Sequence, residues 1–90
     1  MGELVWQVIY ADKVLKQDIP NLPTTIAKRI KRAIEEKLTK NPIAFGKPLQ
    51  YSLKNQRRLR VGDYRILFAL DLDKRVVKIT SIDHRKDVYS

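Results

Sequence analysis

Ile26, Ile30, Ala33, Ile34 and Leu38 recur at intervals of three and four, whereas after Arg58 the period shortens, and within Leu59–Val61 and Tyr64–Leu70 apolar residues recur at intervals of two or less. The first spacing places an apolar stripe on one face of a helix, and the second belongs to strands. A chain that changes period in this way calls for helix followed by sheet, an α+β arrangement. At 90 residues the length suits one domain, expected over residues 1–90.

The segment Leu4–Tyr10 is β-branched and aromatic and reads as a first strand. Asp12 is placed to cap a short helix that carries Val14, Leu15 and Ile19 and stops at Pro20. A second helix follows, with Pro23 in its first turn and Asn21, Thr24 or Thr25 as its cap. Asn41-Pro42 ends it. The short connection between the two predicts an antiparallel helical hairpin. Residues 42–47 read as a loop. Beyond them, Arg58–Val61, Tyr64–Leu70 and Val76–Ile82 read as strands joined by turns at Gly62-Asp63 and Asp71–Lys74. The expected fold is therefore an N-terminal strand, a helical hairpin, and an antiparallel β-meander forming one sheet packed on the helices. Trp6 and Phe68 are expected in the core. Ile66–Leu70 is apolar on both faces and reads as a central strand covered on both sides for part of its length.

Charge narrows the function. Lys and Arg number 19 against 10 Asp and Glu, giving a net charge of +9. So strong a positive field on a small domain makes polyanions, and nucleic acid first among them, the leading partner class. The bias sits in the sheet half, and Lys54, Arg57, Arg58, Arg60 and Arg65 fall in one short stretch with Asp63 alone against them. There is no cysteine and one histidine, His84. A thiolate metal site, a cysteine nucleophile and a two-histidine zinc site within one subunit are thereby excluded, and neither metal nor cofactor is expected. No apolar run reaches membrane-spanning length, so no membrane association and a cytoplasmic location are expected.

Alternation locates the candidate site. If Leu59 and Val61 face the core, Gln56, Arg58 and Arg60 share the opposite face. Arg65 lies just past the Gly62-Asp63 turn, and a meander returns Arg85 close to it. A concave cluster of Arg58, Arg60, Arg65 and Arg85, with His84 and Tyr89 at its edge, suits bidentate recognition of phosphate. The basic helix face from Lys28 to Arg32 reads as solvated surface, with contact to RNA backbone as the alternative.

The run Asn41–Leu49, the string Arg58-Leu59-Arg60-Val61-Gly62-Asp63-Tyr64-Arg65, and the ending Ile82–Tyr89 together resemble the RelE/ParE toxin superfamily, and the ending is similar to its RelE branch. The resemblance covers nearly the whole chain. It implies a small antiparallel sheet packed on a helical hairpin. It also implies the toxin half of a type II toxin–antitoxin pair, a ribosome-dependent endoribonuclease that cleaves messenger RNA in the A site. The implied partners are mRNA on the ribosome and a cognate RelB-like antitoxin covering the basic groove. By the resemblance, Arg65 holds the scissile phosphate and Arg58 stabilises the transition state. Arg85 is the acid or leaving-group stabiliser, and Tyr89 the base and stacking platform. His84 is a further candidate proton carrier. Lys54, Arg57, Arg60 and Lys86 would contact RNA. Two departures stand out: Gln56 replaces a lysine of the best-studied branch, and the spacing from Arg85 to Tyr89 is shorter. Two other readings stay open, a ParE-type inhibitor of DNA gyrase and an RNA-binding domain without activity.

Overall fold

The computed structural model describes residues 5–48 and 56–85. In chain order the elements are strand β1 (Gln7–Tyr10), a helical turn α1 (Val14–Asp18), and helix α2 (Thr24–Ala33), which continues through Ile34–Leu38. A short helix α3 (Pro42–Phe45) follows, then strands β2 (Lys47–Pro48), β3 (Gln56–Val61), β4 (Tyr64–Asp71) and β5 (Val76–His84). The five strands form one sheet in the order β1-β5-β4-β3-β2. The pairs β2–β3, β3–β4 and β4–β5 are antiparallel, and β1 joins β5 in parallel. The expected α+β fold is the observed one. Among the described residues no helix is long and apolar enough to cross a membrane.

The core lies between the helices and one face of the sheet. Val14, Ile30, Ile34 and Leu38 meet Leu59, Val61, Ile66, Phe68, Val77 and Ile79, all buried, and Trp6 belongs to the same cluster. Each fully buried side chain of this size contributes about 1.5–3 kcal/mol of transfer free energy. Strand β4 is the middle strand, as its continuous apolar run required. The helices cover only one of its faces, and Leu67 and Ala69 on the other are half-buried.

Helix ends depart from the expected caps. The position before α1 is Lys13, with no side-chain cap, so Asp12 does not cap this element; Ala11 O instead accepts from Val14 N and Leu15 N. Pro23 occupies the cap position of α2 rather than its first turn, and no side chain of Asn21, Thr24 or Thr25 caps it. Both helical segments close with wide i to i+5 bonds, Ile19 N to Val14 O and Thr39 N to Ile34 O. The expected loop at residues 42–47 is instead α3 followed by the start of β2. Asn41 makes it a helix. Its side chain accepts from Ala44 N at 3.0 Å, and Pro42 fills the first turn, where its missing N–H costs nothing.

Two backbone devices position the site. Gly62 has φ +59° and is followed by Asp63 without a positive φ, the pattern of a two-residue type II′ hairpin. The second is a bulge. Phe68 pairs with Ile79 and Leu67 with Ser81, so Thr80 is an extra residue on β5, and its hydroxyl donates to Leu67 O at 3.2 Å. The bulge reverses the alternation of β5. Val77 and Ile79 face the helices before it, and Ile82 faces them after it.

Candidate functional site

Beyond the bulge, Ser81, Asp83 and Arg85 fall on the sheet face away from the helices, opposite Leu67, Arg65 and the turn. On β3 the same face carries Arg58 and Arg60, since Leu59 and Val61 point into the core. Arg60 pairs directly with Arg65, and Arg58 pairs with Leu67. The hairpin turn closes the end of this face, where Arg85 N donates to Asp63 O at 2.7 Å. The result is a recess of about 200 Å³ lined by Arg58, Arg60, Gly62, Asp63, Tyr64, Arg65 and Arg85.

The electrostatics of the recess are one-sided. Among the described residues it is lined by four arginines and by Asp63 as the one carboxylate. Among the described residues the one salt bridge joins Lys13 to Asp18, so none of the four is ion-paired. Arg60 Nε donates to Gly62 O at 3.1 Å, a bond that fixes its direction without cancelling its charge. Several guanidinium groups around one hollow give it the chemistry to bind an oxyanion such as phosphate. Among the described residues no three His, Cys, Asp or Glu side chains group as metal ligands do.

The structure therefore brings together Arg58, Arg60, Arg65 and Arg85. It does not bring His84 or Arg57 to them. His84 follows Ile82 on the helix side, where its ring meets Tyr64 edge-on at 4.9 Å. It borders a different recess with Asp18, Asn21 and Leu22. Arg57 shares the inward phase of Leu59 and Val61. Its Nη2 donates to Ile43 O at 2.9 Å and to Gly46 O at 2.8 Å, which ties β3 to α3. Lys54, Lys86 and Tyr89 lie outside the described residues.

One cation was not anticipated. Arg29 of α2 reaches the hairpin turn, its Nη1 standing 3.2 Å from where a Cβ on Gly62 would lie. It sets a guanidinium against the turn that closes the recess, though Arg29 is not among the residues lining it. The available signal was its place beside buried Ile30, at the border of the apolar stripe rather than at the centre of the polar face.

Comparison with known proteins agrees with this architecture. The ParE toxin family of type II toxin–antitoxin systems (parDE) matches residues 8–89. The chain is 32% identical to toxin RelG of Mycobacterium tuberculosis over 74 residues, covering 82% of this chain and 85% of that one. It is 34% identical to toxin RelE of the same organism over 73 residues, covering 81% and 75%. Its fold superimposes on a chain of the toxin–antitoxin complex RelBE2 of Mycobacterium tuberculosis with a TM-score of 0.81 at 28% identity, covering 90% of this chain and 99% of that one.

Proposed function

The chain belongs to the RelE/ParE superfamily of type II toxin–antitoxin toxins, and from that premise we propose that it cleaves messenger RNA in the ribosomal A site. The observation that supports this most is the recess of four guanidinium groups, none of them ion-paired among the described residues. In the proposed reaction a ribose 2′-oxygen bonds to the adjacent phosphorus and the P–O5′ bond breaks. The 2′-hydroxyl proton leaves to a base, and the departing 5′-oxygen takes a proton from an acid. Arg65 and Arg58 hold the phosphate and its developing second charge. Arg85 stands beside the leaving oxygen, and Tyr89 is assigned the base. The reaction uses protein groups alone, with residues 1–90 acting as one unit.

These groups are poor proton carriers at neutral pH. Tyrosine ionises near about 10 and arginine above about 12. An enzyme built on them depends on its substrate being held in line, which the ribosome provides. A RelB-like antitoxin is the proposed partner. It would cover the basic face, and the net charge of +9 favours an acidic segment there.

The test is a reconstituted translation reaction with a defined codon in the A site, with 5′ ends mapped and ribosome-free RNA run alongside. A cut within the A-site codon that needs ribosomes and disappears in Arg65→Ala and Arg85→Ala is the expected result. Uncut message with the folded wild-type chain would overturn it. The match to the ParE toxin family favours a second reading, inhibition of DNA gyrase, which predicts intact message and blocked supercoiling. Intact message, unimpaired gyrase and salt-sensitive RNA binding would mark a binding domain without activity.

A further inference from the structure

Arg65 stands directly opposite Asp83 in the register of β4 and β5. Opposite charges at such positions attract across the ladder. Here they are not paired, because the one salt bridge among the described residues is Lys13–Asp18. The Asp83 carboxylate is engaged elsewhere. Ser81 Oγ, two residues back on the same face, donates to Asp83 Oδ1 at 2.8 Å. Lys13 Nζ donates to Ser81 Oγ at 3.1 Å and to Asp18 Oδ2 at 3.0 Å. That same Asp18 oxygen accepts from Ile82 N at 2.9 Å, on the edge of β5 beyond its last pairing with β1. The first helical segment is thus fastened along this edge, and Asp83 borders the recess of Asp18 rather than that of the arginines.

We infer that Ser81, oriented by Lys13, is a positioning residue that holds the Asp83 carboxylate away from Arg65 and so keeps the Arg65 guanidinium available to a phosphate. The inference rests on the reading of the arginine recess as the RNA phosphate site. A ligand phosphate competes with any carboxylate already on Arg65. Freed from Ser81, Asp83 has Arg65 as its nearest cross-strand cation. A half-exposed pair of this kind is still weak, so its formation lowers phosphate affinity by up to about fivefold.

The experiment measures the affinity of a short 2′-O-methyl RNA, which lacks the attacking hydroxyl, by fluorescence anisotropy at low salt. Ser81→Thr keeps the hydroxyl, and Ser81→Val has nearly the same shape without it. Wild type and Ser81→Thr are expected to bind alike and Ser81→Val up to about fivefold more weakly. Asp83→Asn is expected to restore binding in the Ser81→Val background and to add less in the wild type. Equal binding by the Val and Thr variants, or an Asp83→Asn gain of the same size in both backgrounds, would overturn the proposal, since a general charge effect adds equally. Arg65→Ala separates the two failures. If it weakens binding while Ser81→Val does not, only the role of Ser81 fails; if it leaves binding unchanged, the recess is not the RNA site and both readings fall. Should the Val variant not fold, Ser81→Ala with and without Asp83→Asn gives the same comparison.

Discussion

Arg60 and Arg65 face each other at one register position of the β3–β4 ladder, two like charges where a sheet ordinarily places a complementary pair. Like charges directly opposite cost about 0.2–1 kcal/mol. The arrangement is unfavourable for the free chain and favourable once an anion lies between the two groups. Arg60→Thr is therefore expected to raise stability by about 0.2–1 kcal/mol in urea unfolding while weakening RNA binding. A loss of both stability and binding would show Arg60 to be structural.

Salt dependence measures the same cluster independently. The logarithm of the RNA binding constant should fall linearly with the logarithm of salt concentration. Arg85→Ala should make that slope shallower by about 0.7, the value for one phosphate contact on a single strand. An unchanged slope would place Arg85 away from the RNA backbone.

Arg57 separates stability from chemistry. Its guanidinium serves two carbonyls, Ile43 O and Gly46 O, on the face away from the recess. Arg57→Met leaves those acceptors without their donor and is expected to cost about 1–3 kcal/mol. Cleavage per folded molecule, assayed below the melting temperature, should be retained.

Gly46 fills a gap that admits no side chain. A Cβ there would lie 2.3 Å from Phe68 Cζ and 2.9 Å from Pro42 O. Phe68 is fully buried and has no room to withdraw. Gly46→Ala should cost about 1–3 kcal/mol through overpacking, read as a lower denaturation midpoint with an unchanged m-value.

Tyr10 sets an alkaline limit. Burial, and next the nearby Glu35 carboxylate, raise its phenol above the ordinary 10.0. The unfolded chain then loses this proton before the folded one, so the contribution of Tyr10 is complete below the ordinary value and is lost as pH rises through the folded one. Tyr10→Phe should flatten the fall of stability with pH in that alkaline window and leave neutral pH behaviour unchanged, as followed by thermal unfolding.

Much of this was legible in the sequence because it depends on period. The helix stripe, the inward phase of Leu59 and Val61, and the outward phase of Arg58 and Arg60 follow from spacing alone. The same rule placed Arg57 inward, but basic character in a basic stretch outweighed its phase. The turn at Asn41-Pro42 carried a sound cap signal, yet one turn of helix is too short to show a period. Arg29 was hidden because a helical wheel separates polar from apolar faces and does not say which polar residue overhangs a neighbouring loop. The place of His84 depended on the bulge. Its trace was present in the spacing, since Val77 and Ile79 are two apart and Ile79 and Ile82 are three apart.

The extra residue at Thr80 acts as a one-position selector for the last stretch of β5. With it, Arg85 looks out over the open face and His84 turns toward the helices; without it, the two side chains would exchange sides. A single-codon deletion at this point would keep every catalytic candidate in the chain and still present an imidazole where a guanidinium now stands. Two relatives that agree in all their basic residues but differ in the length of this strand would therefore offer the same phosphate different proton chemistry.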